Sequence, residues 1–215
     1  MHKIRILVIS IILISVLIGI VLYPYLPEQM ASHWNAQGEA NGYSGKFWGT
    51  FLLPIITLIL FLILIFIPRL DPLKSNLKSF EKYYETFILI FVLFLTYLHL
   101  LILIDNLDID FNFTLALIPA FSVLFYYVGI LISKVKRNYF IGIRTPWTLN
   151  SEEVWNKTHQ LGGKLFKVAA IVSLSGLALG KYAFWIMLLP ILGVSLFIVV
   201  YSYWIYRKIN SKRKL

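Results

Sequence analysis

Two carboxylates and a histidine lie close together in the longest polar stretch of this 215-residue chain, from Arg137 to Gly163. Glu152, Glu153 and His159 are residue types from which general acid and base pairs and metal sites are built. No HExxH sequence, nucleophile elbow or phosphate-binding glycine loop accompanies them. The pattern therefore predicts no catalytic, cofactor-binding or metal-binding residues. An alternative stays open, a membrane enzyme or transporter that acts on a lipid or peptide through Arg144, Glu152, Glu153 and His159.

A second polar stretch, Glu28 to Lys46, contains His33, Trp34 and Asn35 in sequence. A metal site would need two or three more ligands at a recognised spacing, and this stretch offers only two glutamates. We therefore expect no metal there. Trp34 and Tyr43 are typical of aromatic residues that anchor a loop at the headgroup level of a membrane, and the three glycines of the stretch suit tight turns.

The composition indicates a membrane protein. Hydrophobic residues make up 59% of the chain and charged residues 14%, whereas a soluble domain carries about 25% charged residues. A net charge of +10 could indicate nucleic-acid binding in a soluble chain. In a membrane protein it indicates basic residues retained on the cytoplasmic side, so we expect no direct nucleic-acid partner. The chain has no cysteine, which excludes disulfides.

Six apolar runs predict an all-α, polytopic integral membrane helical bundle in the cell membrane, since about 20 apolar residues cross a bilayer. The fifth run is the weakest, because its 12 residues are more typical of an interfacial or re-entrant segment. The runs are Ile4 to Tyr23, Phe47 to Ile67, Thr86 to Ile104, Phe113 to Ile132, Val168 to Leu179 and Tyr182 to Ile205.

The basic residues predict the orientation. With six spans and cytoplasmic N- and C-termini, only Lys46 and Lys181 of the 20 basic residues face outward, and the tail RKINSKRKL stays inside. We interpret the chain as one integral membrane domain with two parts. These are a two-helix module, 1–68, whose outer loop is 24–46, and a four-helix part, 84–206, whose inner loop is 134–164.

Arg144 lies between Gly142 and Pro146 in the inner loop. The residue before a proline is disfavoured in a helix, so an extended or turned stretch is predicted through Thr145 to Leu149. An arginine in such a stretch presents a planar fork of donors to a carboxylate or to backbone carbonyls. This stretch is therefore a candidate for the recognition of a partner.

A short amphipathic helix is predicted next, from Ser151 as its N-cap to the glycine pair 162–163 at its end. Glu152, Trp155 and His159 fall at i, i+3 and i+7 on one face of it. Its charges are expected to face the cytosol. A neighbouring face is expected to rest on the membrane and consists of Val154, Thr158 and Leu161.

One ionisable side chain, His99, is predicted inside the third span, nearer its outer end. An ionisable group inside a membrane is costly and is a functional candidate by default. A neutral imidazole that is hydrogen-bonded to a neighbouring helix satisfies the same constraint, and we favour that interpretation. Because few other ionisable groups are buried, a coupled transporter is disfavoured.

The run NYFIGIRTPWTLNSEEVWNKTHQLGG resembles the signature of the SdpI family of bacterial and archaeal membrane proteins. The outer stretch LPEQMASHWNAQGEANGYSGK resembles a module that often precedes that signature. The inner matches are Gly142, Arg144, Thr145, Pro146, Trp147, Thr148, Leu149, Ser151, Glu152, Trp155, Thr158, His159 and Gly162. The outer matches are Leu26, Pro27, His33, Trp34, Asn35, Gly38, Gly42 and Lys46.

The resemblance implies a non-enzymatic immunity or signalling protein. Such a protein would protect the cell from a secreted antimicrobial peptide of the cannibalism type, met on the outer side. A second implied role is to sequester a small cytosolic DNA-binding repressor at the membrane. The expected partners are therefore a toxin peptide, the repressor in the second role, and membrane lipids.

We expect the partner-binding residues to come from both motifs. Those of the inner motif are Gly142, Arg144, Thr145, Pro146, Trp147, Thr148, Glu152, Trp155, His159 and Gly162. Those of the outer motif are His33, Trp34, Asn35, Gly38 and Gly42.

Overall fold

The structure is a computed structural model that describes residues 2–212, with side chains for residues 3–211. Six helices in this part are long and apolar enough to cross a membrane. The prediction of an all-α, six-span, multi-pass membrane protein is therefore confirmed. The last three residues of the predicted basic tail, 213–215, lie outside the described residues.

Each predicted apolar run overlaps one long helix. The long helices are α1 (His2–Leu22), α2 (Lys46–Leu70), α4 (Glu81–Asp105), α5 (Phe113–Lys134), α7 (Glu152–Leu174) and α8 (Ala183–Lys212). Two short helices lie in connectors, α3 (Lys74–Lys78) and α6 (Pro146–Asn150). Between α1 and α2 the chain forms an antiparallel pair of strands, β1 (Gln29–Trp34) and β2 (Ala40–Gly45).

The pair β1–β2, which we call the hairpin (residues 29–45), is an element that the apolar pattern did not predict. Asn35 builds its turn, because its side-chain oxygen accepts two backbone N–H groups across the turn at 2.9 and 3.0 Å. Gly38 has a φ of +86°, which only glycine adopts readily. Of the three glycines expected in tight turns, Gly42 and Gly45 lie instead in β2.

The long helices pack as two groups of three. Helices α1, α2 and α4 contact one another, as do α5, α7 and α8, and contacts between α4 and α5 join the groups. The buried cluster of the first group includes Val8, Phe61, Tyr84 and Val92 and extends to Trp155 at the start of α7. Burial of these apolar side chains holds the start of α7 against the first group.

Helices α5 and α7 approach each other closely where both carry glycine. A Cβ on Gly163 would lie 2.7 Å from the carbonyl oxygen of Gly129 and 2.7 Å from the Cβ of Ser133. Small residues permit such close approach between membrane helices. Helix α7 therefore continues through Gly162 and Gly163, and the prediction that this pair ends a helix is wrong. The packing of α7 on α5 outweighs the low helix propensity of glycine.

The fifth span differs from its apolar run at both ends. Helix α7 begins at Glu152 and ends at Leu174, whereas the run extends from Val168 to Leu179. Two 3-10 turns, Ser175–Ala178 and Gly180–Tyr182, then lead to α8. The first turns of α7 pack against protein rather than lipid, so they need not be apolar all round and the hydropathy pattern misses them.

Helix α8 explains why the start of α7 is buried. Its 30 residues span about 45 Å, more than the ~30 Å of a hydrocarbon core. Its last turns pack on the start of α7, where Ile205 and Ile209 cluster with Val154. Val154 and Thr158 are fully buried. The predicted short amphipathic helix that rests on the membrane through these residues is therefore wrong.

Polar connectors gather at the two ends of the bundle. The hairpin contacts Asn106 and Asn112 in the connection between α4 and α5. At the opposite end, the segment between α5 and α7 contacts Asp71 and Asn76, which follow α2. We call these the hairpin end and the motif end, and we call residues 135–151 the motif loop.

Candidate functional site

Asn138 organises the first part of the motif loop and is fully buried. Its side-chain oxygen accepts the backbone N–H groups of Phe140 and Ile141 at 2.9 and 2.6 Å. Its amide nitrogen donates to the carbonyls of Lys136 and Ile141, both at 2.9 Å. One side chain thus satisfies four backbone groups of a tight loop, which fixes the loop without regular secondary structure.

Two residues from the connector after α2 attach the motif loop to the first helix group. Asp71 is buried, and its carboxylate accepts the N–H groups of Leu73 at 2.7 Å and Tyr139 at 2.8 Å. The side-chain amide of Asn76 donates to the carbonyl of Arg137 at 2.8 Å. The two bonds to the Asp71 carboxylate are charge-assisted and therefore stronger than neutral ones. The two halves of the chain are therefore tied together at the motif end.

Gly142 and His159 clamp the motif loop to α7. Gly142 has a φ of +114°, and a Cβ there would lie 2.5 Å from Nε2 of His159. The N–H of Ile143 donates to Nε2 at 2.9 Å. Nε2 is therefore unprotonated, and the Nδ1–H donates to the carbonyl of Trp155 at 2.8 Å. Both ring nitrogens of a neutral imidazole are thus engaged by backbone.

Trp155 fills the space between the motif loop and the helices. It is fully buried, its Nε1–H donates to the carbonyl of Val135 at 2.9 Å, and its ring stacks on His159 with centroids 3.9 Å apart. A buried indole whose N–H is paired contributes a large apolar area without a polar penalty. The structure therefore gives Trp155 and His159 a place inside the protein.

Thr145 and Thr148 form a capping box at the start of α6. The N–H of Thr148 donates to the Oγ1 of Thr145, and the N–H of Thr145 donates to the Oγ1 of Thr148 at 2.8 Å. Pro146 occupies the first helical position, where a missing N–H costs nothing. The prediction of an extended or turned stretch through Leu149 is wrong beyond Thr145, because the cap and the proline together begin a helix. The predicted N-cap role of Ser151 in α7 is confirmed.

Trp147 attaches the motif loop to α8. Its Nε1–H donates to the Oγ of Ser202 at 2.5 Å, and its ring meets Tyr203 edge to face with centroids 5.2 Å apart. Four elements contact the motif loop and hold its backbone in place: α5, α7, α8 and the connector after α2.

Arg144 is exposed, unlike the buried Thr145 and Thr148 of the same loop. One Nη1–H donates to the carbonyl of Tyr139 at 2.7 Å, and the guanidinium has further N–H donors beyond this bond. A groove of about 460 Å³ opens beside it. Its walls are mainly apolar and include Leu64, Phe87, Ile132, Phe140, Phe166 and Ile198. The arrangement suits an apolar side chain in the groove and a carboxylate or carbonyl on Arg144.

The carboxylates at the start of α7 lie on the surface. Glu152 and Glu153 are exposed, and Glu153 forms an ion pair with Lys157 at 2.7 Å. His159 is only 2% exposed. The structure therefore brings together the histidine and the tryptophan of the predicted face but leaves Glu152 outside. Among the described residues, no group of three or more acidic or histidine side chains could hold a metal ion.

The outer motif mainly shapes the hairpin. A Cβ on Gly42 would lie 2.9 Å from the Cβ of His33 on the facing strand, so glycine is needed there. Trp34 stacks on Phe113 with centroids 4.0 Å apart and donates to Asp105 at 3.1 Å. The imidazole of His33 is exposed and bonds Asn41 through Nδ1.

Two asparagines that the sequence patterns did not indicate hold the hairpin on the bundle. Asn106 receives a hydrogen bond from the N–H of Ala31 at 2.7 Å and donates to its carbonyl at 3.1 Å, as a neighbouring strand would. Asn112 donates to the carbonyl of Gln37 at 2.8 Å and lies 2.8 Å from where a Cβ of Gly38 would be. Their only signal was their position in the turn between two spans.

The intramembrane histidine joins three helices. Nε2 of His99 donates to the carbonyl of Thr50 in α2 at 2.9 Å, so Nδ1 accepts from the Oγ of Ser15 in α1 at 2.8 Å. His99 is 1% exposed. Because both nitrogens of this neutral imidazole are hydrogen-bonded, its burial leaves no polar atom unpaired. The side chain thereby links α1, α2 and α4 by hydrogen bonds.

Comparison with known proteins supports two regions of similarity. The sequence model of the SdpI/YfhL protein family matches residues 134–203, and a domain of unknown function, DUF1648, matches residues 10–58. The first match contains the motif loop, α7 and most of α8, and the second contains the hairpin. No solved structure matches the chain.

A curated relative is the immunity protein SdpI of Bacillus subtilis (strain 168), which is 33% identical over 79 residues. That alignment covers 36% of this chain and 38% of the relative. The predicted resemblance to the SdpI family is confirmed by both the family match and this relative, over the regions that they cover.

Proposed function

We propose that this protein is a membrane immunity protein, which recognises a secreted antimicrobial peptide at the hairpin end and contacts a cytosolic partner at the motif end. The observation that carries the proposal is that buried contacts, mainly from Trp155 and His159 of α7, hold the motif loop, while Arg144 stays exposed beside an apolar groove. The family relative that is named an immunity protein supports the same proposal. In this orientation the hairpin faces outward and both termini face the cytosol.

Recognition fits the motif end better than chemistry does. The alternative of a membrane enzyme or transporter requires His159 to exchange protons with a substrate. Its two nitrogens instead bond Ile143 and Trp155 through their backbone groups. Arg144 keeps an exposed donor fork, which suits a carboxylate or the carbonyl groups at the end of a partner's helix. We propose a cytosolic repressor protein as the second partner there.

The hairpin offers an edge for an extended peptide. In the register of the hairpin Ala31 lies opposite Tyr43. The outward-facing backbone groups of Ala31 are paired with Asn106, which closes that edge of β1. The other edge belongs to β2, where Tyr43 is 63% exposed. Extended peptides add to such edges by backbone hydrogen bonds, and pockets or aromatic side chains select among them.

Survival of a toxin-sensitive cell tests the proposal. Cells that express the chain are challenged with the cannibalism-type peptide, beside cells that express Arg144→Ala and cells that carry no copy. The wild-type chain should protect. On this proposal protection needs the cytosolic partner as well as the peptide, so Arg144→Ala should lower the tolerated peptide concentration by about 30-fold, as expected for loss of a central residue that recognises that partner. The level of protein in the membrane should be unchanged.

The matched control is Lys136→Ala, which removes another exposed cation from the same loop and should protect like the wild type. Absence of protection by correctly inserted wild-type chain would contradict the proposed ligand. Loss of protection by a single Glu152→Gln replacement, with Arg144→Ala still protective, would instead favour the enzyme or transporter alternative.

A further inference from the structure

A cavity separate from the motif groove lies at the motif end between α1, α2, α3 and α4. Its volume is about 330 Å³, within the ~300–1,000 Å³ range of small-molecule sites. Its inner wall is apolar and includes Val8, Phe61, Leu77, Phe80 and Ile88. Neither motif that the sequence singled out contributes to this wall.

The mouth of the cavity is predominantly basic. Arg69 at the end of α2 and Lys74 and Lys78 on α3 line it, and all three are exposed. The two lysines are four residues apart and therefore lie on one face of their short helix. The guanidinium of Arg69 lies 5.2 Å from the centroid of the Phe66 ring, which fixes its position at the end of α2.

The acidic groups at the cavity only partly offset these cations. Glu85 is buried and lies 3.7 Å from Arg5, so a cation from α1 accompanies its charge. Glu81 is half-buried and lines the rim. The exposed rim therefore carries three cations against one carboxylate, which favours an anionic ligand.

The shape of the cavity continues from the charged rim into the membrane span. Between Arg69 at the rim and Phe61 in the wall, α2 advances by about 12 Å along its axis. The helices that bound the cavity at this depth, α1, α2 and α4, are membrane spans. A ligand that fits must therefore place a negative charge at the membrane surface and an apolar chain beside it in the hydrocarbon region.

We propose that this cavity binds an anionic phospholipid, with its phosphate among Arg69, Lys74 and Lys78 and the beginning of one acyl chain against Phe61 and Ile88. Basic pockets between membrane helices are suited to such headgroups. The site needs only that the motif end lies at a membrane surface, and it does not depend on the recognition of a toxin peptide. Its expected role is to fix α3, and through Asn76 the motif loop, on the bilayer.

Native mass spectrometry of the full chain in neutral detergent tests the site, with phosphatidylglycerol and phosphatidylcholine as competing lipids. The wild type should bind phosphatidylglycerol preferentially. The double replacement Lys74→Gln with Lys78→Gln should weaken that binding by about 30-fold, since each surface lysine contributes to the attraction of an anionic headgroup. Both side chains are exposed, so the variant is expected to fold.

The matched control is Lys82→Gln with Lys136→Gln, two exposed cations at the same end that do not line the cavity. It should bind like the wild type. Equal loss in both double variants would show general surface attraction and overturn the proposal. Displacement of the lipid by an excess of glycerol 3-phosphate would also overturn it, because a site for a soluble phosphate needs no acyl chain.

The apolar wall is tested separately. Ile65→Trp places a larger side chain at the cavity wall, while Ile63→Trp places it on an exposed part of the same helix. Phosphatidylglycerol binding should fall in the first variant and persist in the second, although all rim cations are intact in both. Equal binding by both variants, each confirmed as monodisperse, would contradict an acyl chain in the cavity.

Discussion

The hairpin and the motif loop are both polar segments at the ends of an apolar bundle, but they use their motif residues in opposite ways. At the motif end, Trp155 and His159 of α7 are buried and bind backbone groups of the motif loop. In the hairpin, the motif glycines and Asn35 shape the strands and turn, while residues from other elements attach it. Residues of the inner motif thus hold the motif loop, together with Asp71 and Asn76. The hairpin is held mainly by Asn106 and Asn112, which lie outside the outer motif, and by Trp34.

This difference shows that not every residue of a dense polar motif in a membrane protein needs to bind a partner. A loop outside the bilayer still has to pair its buried backbone groups, and here most of the inner motif does that. The exposed minority, led by Arg144, stays available to a partner. Fewer residues of the outer motif are buried, and among its eight matches only Leu26 is.

Replacement of Trp155 should have the largest effect. Trp155→Ala removes a fully buried side chain and should lower the free energy of unfolding by about 3–5 kcal/mol. Thermal unfolding in detergent, followed by size-exclusion chromatography, measures the change. Trp204→Ala is the matched control, because Trp204 is 53% exposed on α8. Similar thermal midpoints for the two variants would contradict the conclusion that buried Trp155 holds the motif loop against the helices.

The two motif histidines should differ in the same assay. His159→Ala leaves the N–H of Ile143 unpaired and should cost about 2 kcal/mol. His33→Ala affects an exposed side chain and should change stability by no more than about 0.5 kcal/mol. A larger loss for His33→Ala than for His159→Ala would reverse the comparison between hairpin and motif loop.

Loss of the hairpin anchor should have a local effect. Asn106→Ala removes both hydrogen bonds to Ala31, so amide exchange in β1 should accelerate by about tenfold, with α7 unchanged. Hydrogen exchange with mass spectrometry measures both regions at once. Asn41→Ala, which alters an exposed contact to His33, is the control and should leave the amide exchange of Ala31 unchanged. Equal protection of β1 in the wild type and Asn106→Ala would show that Asn106 is not its anchor.

The apolar pattern predicted the number of spans because crossing a bilayer imposes length and hydrophobicity directly on the sequence. It failed where protein replaces lipid as the neighbour. The first turns of α7 carry polar residues that pack against the motif loop and α8, and Gly163 permits contact with Gly129. From the local sequence alone, Gly163 would be expected to end a helix. Helix α7 instead continues through it because Gly163 packs against α5.

The candidate site was predicted in part for the same reason. The sequence indicated the one-face spacing of Trp155 and His159, but it could not show that the motif loop covers that face. Asp71 and Asn76 are far from the motif in the chain and carry no spacing signal. Their roles arise only when the connector after α2 meets Tyr139 and Arg137.

The most direct test is whether the hairpin and the motif loop face opposite sides of the membrane, with the hairpin outside. The chain has no cysteine, so single cysteines can be placed at Tyr43 and Asn150, both exposed. A membrane-impermeant maleimide should label Tyr43→Cys in intact cells and Asn150→Cys only after permeabilisation. Labelling of Asn150→Cys in intact cells, or of Tyr43→Cys only after permeabilisation, would contradict the orientation on which peptide recognition at the hairpin depends.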